Sequence, residues 1–154
     1  MKTIHYLAAS LFSLLSLGAL TSCDTDDYTW APGPPSGWYD YFSDQRLNGC
    51  WQLIQANGRP VGGYDVNYMD FYGNGRGRYY YFSAGRPTSE RMAYWCEENW
   101  GGVSGYVMNI QYEYSNPATV DYWFTDGNRR LWLQWSTGGG VVTYVYAPSA
   151  DPGW

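Results

Sequence analysis

The chain has 154 residues, 45% of them hydrophobic and 20% aromatic, with a net charge of −5, a size that fits one domain. Its single histidine, His5, and its one lysine, Lys2, stand at the very start. Beyond them the composition leaves no Ser-His-Asp or Cys-His nucleophile, no histidine metal site and no Schiff-base or phosphate-loop lysine. The acidic balance argues against nucleic acid as a partner.

Residues 1–22 read as a secretory signal: Met1-Lys2, an apolar run from Tyr6 to Leu20, then small residues before Cys23. The run is shorter than the about 20 residues that a spanning helix needs, and no later stretch is apolar enough to span. Leu20-Thr21-Ser22-Cys23 resembles the bacterial lipobox. That resemblance implies an acyl chain such as palmitate on Cys23 and a lipid anchor in the bacterial cell envelope, at the outer membrane. Asp24, Asp26 and Asp27 follow directly. They resemble the surface-export signal of lipoproteins in the Bacteroidota, or form a solvated acidic tether. With the Pro/Gly run Ala31-Pro32-Gly33-Pro34-Pro35 they make 23–45 a semi-extended spacer. Cys50 and Cys96 remain, and an even pair in an oxidising envelope predicts a disulfide, with two buried thiols as the alternative.

Strands are predicted at 50–56, 66–72, 77–83, 91–97, 106–114, 119–125, 130–136 and 141–147, within one domain over 46–147 followed by a tail, 148–154. Asn74-Gly75 signals the first tight hairpin, pairing Phe71 with Arg78 and Met69 with Tyr80. In 106–114 the residues Tyr106, Met108, Ile110, Tyr112 and Tyr114 share one face, and Asn109, Gln111 and Glu113 take the other. That period of two marks a sheet with one buried face. Across Ser115-Asn116-Pro117, Tyr114 faces Val120, which sets Glu113 beside Asp121 and Gln111 beside Trp123. A Gly127-Asn128 turn pairs Phe124 with Leu131 and Tyr122 with Leu133. A Gly138-Gly139 turn pairs Trp135 with Val142, Leu133 with Tyr144 and Leu131 with Tyr146. Inward residues meet inward residues at each turn, as hairpin geometry requires. The predicted fold is all-β, an eight-stranded antiparallel up-and-down barrel, with a β-sandwich as the alternative.

Leu47-Asn48-Gly49-Cys50-Trp51 carries the Gly-x-Trp that opens the first strand of lipocalins and related calycin barrels. Together with Asp70 to Gly77, Leu131-Trp132-Leu133-Gln134-Trp135 and Thr143-Tyr144-Val145-Tyr146, it resembles the small lipocalin-like lipoproteins of the Bacteroidota. The likeness spans about residues 46–147. It implies that Trp51 plugs one barrel end. Many lipocalins pack an arginine from the end of the last strand onto that tryptophan, and no arginine follows Tyr146.

Two aromatic sets are candidate binding sites. Inside, Tyr106, Tyr112, Tyr114, Tyr122, Tyr144 and Tyr146 line the barrel; each buried phenol needs a partner, so they mark either a partly polar cavity for a small amphipathic ligand or a filled core. Outside, Trp123 lies opposite Trp132 with Gln111 alongside, a face suited to a glycan, to an envelope protein partner, or simply to bracing the hairpin. Arg76, Arg78, Arg129 and Arg130 flank turns at a barrel mouth, where they are surface charge or a clamp for an anionic group. The paired carboxylates Glu113 and Asp121 both point outward into solvent, and the adjacent Glu97 and Glu98 face opposite ways, so neither pair has the environment of a glycosidase pair. No loop has the ligand spacing of a calcium site. The expectation is a non-enzymatic binding module or docking subunit, with no catalytic residue, metal or cofactor.

Overall fold

The computed structural model describes residues 41–42, 44–98 and 106–154. The signal segment, Cys23 and most of the spacer lie outside these residues. Among them, strands β1 (Tyr41–Phe42), β2 (Gly49–Ala56), β3 (Arg59–Pro60), β4 (Tyr68–Phe71), β5 (Arg76–Ser83), β6 (Arg86–Glu98), β7 (Tyr106–Tyr112), β8 (Ala118–Thr125), β9 (Arg130–Thr137) and β10 (Gly140–Ser149) follow one another. Eight of them close an antiparallel barrel in the order β6-β5-β4-β2-β10-β9-β8-β7, with β7 returning to β6. The fold is therefore the barrel and not the sandwich. Short β1 pairs with the end of β6, and β3 with the end of β2.

Alternation builds the core. Met108 and Ile110 from β7, Val120 and Tyr122 from β8, and Leu131 and Leu133 from β9 are each at most 1% exposed, while their neighbours in the chain turn outward. The two later hairpins have the predicted register: Tyr122 faces Leu133, Trp123 faces Trp132, and Leu133 faces Tyr144.

Two other registers differ. In β4–β5, Met69 faces Tyr79 and Phe71 faces Gly77, one residue away from the expected pairing. The connection is not a two-residue turn. Gly73 and Gly75 both take the left-handed conformation. The Tyr72 N–H donates to Arg76 O at 2.9 Å, and the Arg76 N–H donates to Asn74 Oδ1 at 3.0 Å. A slip of one residue reverses the faces of a strand, so Tyr79 turns inward and Tyr80 outward. Gly77 then points inward because nothing larger fits: a Cβ there would lie 2.3 Å from Asp70 O and 2.7 Å from Met92 Cε.

In β7–β8, Val120 faces Met108, not Tyr114. β7 ends at Tyr112, whose carbonyl accepts from the Ser115 N–H at 3.1 Å, and Glu113 is drawn aside into an ion pair with Arg91. Tyr114 is 85% exposed, the opposite of its predicted place. Asp121 faces Val107, and Gln111 faces Ala93 on β6. Neither the Glu113/Asp121 pair nor the Gln111/Trp123 pair exists.

The cysteines also depart from expectation. Cys96 points into the core and is fully buried, whereas Cys50 faces outward beside Asp70. They sit on opposite faces of the wall, on strands separated by β4 and β5. Both are free thiols, and burial pushes them up to about 12 for Cys50 and about 11 for Cys96.

One barrel end is plugged. A 3-10 turn, Gln45–Leu47, precedes β2 and buries Leu47. The Trp51 indole N–H donates to Leu47 O at 2.6 Å, and its ring meets Phe124 at 5.9 Å. The Arg46 guanidinium lies 4.6 Å over Phe124 and 5.6 Å over Tyr106, a cation–π arrangement. The cation at this end thus comes from the turn before the first barrel strand.

Candidate binding site in the barrel interior

The end away from the plug is aromatic and partly polar. Tyr79 and Tyr81, two apart on β5, stack at 5.2 Å and 21°. Tyr112, the last residue of β7, meets Tyr79 at 4.9 Å. Tyr144 and Tyr146 come from β10, and the Tyr146 hydroxyl donates to Asn67 Oδ1 at 3.1 Å. Glu90 faces Tyr79 from β6, and Trp135 faces Val142 from β9. Strand order explains the gathering. Tyr81, Glu90, Tyr112 and Trp135 lie toward the ends of their strands that run away from Trp51, whereas Tyr146 starts nearer the plug, opposite Leu53, and reaches this level with its hydroxyl at Asn67.

Electrostatics fix the protonation states. Burial, then proximity to Tyr144, Glu90 and Tyr81, pushes the Tyr79 phenol up to about 12. Burial and the same neighbourhood raise Tyr112 well above its ordinary value. Both remain neutral phenols at neutral pH, able to donate or accept. Burial, then the nearby Glu113, raises Glu90. Among the described residues, the Trp135 Nε1 is buried without a hydrogen-bond partner. A buried donor left unmade costs about 1–3 kcal/mol, and such groups usually meet a water or a ligand.

The six tyrosines expected inside divide three ways. Tyr112, Tyr144 and Tyr146 belong to this end. Tyr106 and Tyr122 pack at 5.9 Å near the plug, where the Tyr122 hydroxyl donates to Asp44 at 3.1 Å. Tyr114 is outside. Tyr79, Tyr81 and Glu90 were missed for two local reasons. The Asn74-Gly75 register hides the inward face of β5, and Pro87 conceals that β6 starts at Arg86. Proline is tolerated there because the hairpin tip is a sheet edge. Trp135 was legible as inward.

The outer face keeps its central pair. Trp123 and Trp132 stack at 5.7 Å and 13°, and the Trp132 N–H donates to Thr125 Oγ1 at 2.9 Å. Val145 beside them is 4% exposed. Arg76, Arg78, Arg129 and Arg130 flank turns at the plugged end. Arg129 pairs there with Asp126 at 3.2 Å, and Arg78 donates to Ser89 Oγ at 3.2 Å. The Glu97 carboxylate accepts from Asn109 at 2.6 Å, and the Glu98 side chain lies outside the described residues. Among the described residues no group of three or more His, Cys, Asp or Glu side chains is placed to hold a metal ion. No family model matches the chain, and no curated protein matches it either.

Proposed function

We propose that this protein is a lipid-anchored, non-enzymatic lipoprotein of the bacterial outer membrane, related to the lipocalin-like lipoproteins of the Bacteroidota. Its barrel takes a small amphipathic ligand through the end opposite the Arg46–Trp51 plug. The Leu20–Cys23 segment supports the anchor, with the acyl chain on Cys23. The observation that carries the ligand reading is the buried, unpartnered Trp135 N–H beside a tyrosine-lined end. A dry, filled barrel would pair that donor or replace it with an aliphatic side chain. A ligand acceptor at Trp135, with its apolar body against the tyrosine rings, satisfies the donor and keeps the rings covered.

The stacked Trp123–Trp132 pair supports a second reading, in which the outer wall docks a glycan or an envelope protein. One titration separates them. Intrinsic fluorescence is followed with a small apolar ligand and with soluble polysaccharides, on the parent protein, Trp135→Phe and Trp123→Ala. The interior reading expects saturable binding of the apolar ligand, weakened about 3- to 10-fold in Trp135→Phe by loss of one hydrogen bond and unchanged in Trp123→Ala. Polysaccharide binding lost in Trp123→Ala would transfer the function to the outer wall. No saturation with either would favour a protein partner.

A further inference from the structure

Glu90 brings a carboxylate to the aromatic end. It shares the inward side of β6 with Met92, which is fully buried, and faces Tyr79 across the β5–β6 ladder. Glu113, the like charge that bears on it, is itself held in an ion pair by Arg91. Among the described residues Glu90 has no ion pair of its own; Arg46 and Arg129 are held by Asp44 and Asp126. The shift of Glu90 to a higher pKa, from burial and Glu113, is what a carboxylate lacking a counter-charge shows. Around it stand the Tyr79–Tyr81 stack and Tyr112, 4.9 Å from Tyr79. Aromatic ring faces are electronegative and attract cations.

We propose that the ligand of this barrel carries an organic cation, an alkylammonium or quaternary ammonium head, held between the Glu90 carboxylate and the rings of Tyr79, Tyr81 and Tyr112. The proposal rests on the interior reading above and names its ligand class. An anionic head would meet Glu90 as a like charge. A hard metal ion would want several charged oxygens, whereas this end offers one carboxylate among neutral phenols. An organic cation instead gains from the rings and covers them with its own alkyl groups.

The test is a titration of the full-length protein with octyltrimethylammonium, octanoate and 1-octanol, three heads on one tail length. The ammonium is expected to bind at least about tenfold more tightly than either of the others. Glu90→Gln, close to isosteric, is expected to remove that preference. Tyr81→Leu, at the rim, is expected to reduce it and serves as a second variant independent of the carboxylate. Octanoate or 1-octanol binding as tightly as the ammonium, or a preference that survives both variants, overturns the cationic head while leaving the interior site standing. If none of the three probes saturates, the interior reading falls and this proposal with it.

Discussion

Asp44 joins the plug to the core. It is 6% exposed. Its carboxylate accepts from the Arg46 backbone N–H at 3.0 Å, from the Arg46 guanidinium at 2.6–3.1 Å and from the Tyr122 hydroxyl at 3.1 Å. Burial would raise its pKa, but these bonds and the Arg46 charge outweigh burial and hold it below the usual 3.8. A carboxylate depressed in the folded state contributes stability above its unfolded pKa, and the contribution is lost as pH falls through the folded value. Asp44→Asn is therefore expected to cost about 1–3 kcal/mol at neutral pH, measured by urea unfolding. The difference from the parent should shrink as the pH is lowered below the ordinary aspartate range. A difference that stays constant with pH would mean that the ionised carboxylate is not what holds the plug. The position of Trp51 at a barrel end was implied by the lipocalin resemblance that Gly49-Cys50-Trp51 carries. The role of Arg46 was not, because cation–π packing on Phe124 depends on where a 3-10 turn folds back, and no spacing records that.

Among the elements, the C-terminal tail does more than trail from β10. The strand itself runs to Ser149, two residues past the expected boundary. Beyond it Trp154 packs over the outward side chains of β4 and β5, at 6.2 Å from Tyr68, 5.8 Å from Tyr80 and 5.0 Å from Phe82. This explains why Tyr80 is only 5% exposed although it faces away from the core. Trp154→Ala is expected to lower unfolding stability by about 1–3 kcal/mol, given ring contacts worth about 0.5–1.5 kcal/mol beyond area burial. Unchanged stability would show that the tail does not hold this face in solution. The expected register put Tyr80 inward beside Met69, so this outward aromatic row was not legible in the sequence, and neither was its cover, since contact between a tail and a sheet face leaves no periodic signal. The registers divide for a similar reason. Turns of fixed length fixed the β8–β9 and β9–β10 pairings, whereas β4–β5 depended on the three-residue loop Gly73-Asn74-Gly75, both of whose glycines are left-handed. The β7–β8 pairing depended on a turn in which the Ser115 N–H returns to the Tyr112 carbonyl, with Glu113 paired to Arg91 beside it.

At the scale of the whole molecule, eight strands with short antiparallel links close on themselves, and closure removes exposed edges. The barrel was readable because alternation runs through most of its strands, β7, β8 and β9 most clearly, and barrel interiors follow from alternation. The site was only half readable. Tyr112, Tyr144, Tyr146 and Trp135 lie on strands whose inward faces the sequence assigns correctly, whereas Tyr79, Tyr81 and Glu90 enter through the one-residue slip and the long β5–β6 hairpin. The result is asymmetric: one end sealed by Leu47, Trp51 and Arg46, the other lined by phenols, a carboxylate and an unpaired indole N–H. The most direct test of binding at that end follows the indole N–H resonances of the nine tryptophans by nitrogen-15 NMR during a titration with octyltrimethylammonium. The Trp135 signal is assigned from Trp135→Phe. A ligand in the barrel should shift the Trp135 N–H saturably as it gains an acceptor or a changed environment, and leave Trp123 and Trp132 in place. Movement confined to Trp123 and Trp132, or a Trp135 signal that never moves, would contradict an interior site.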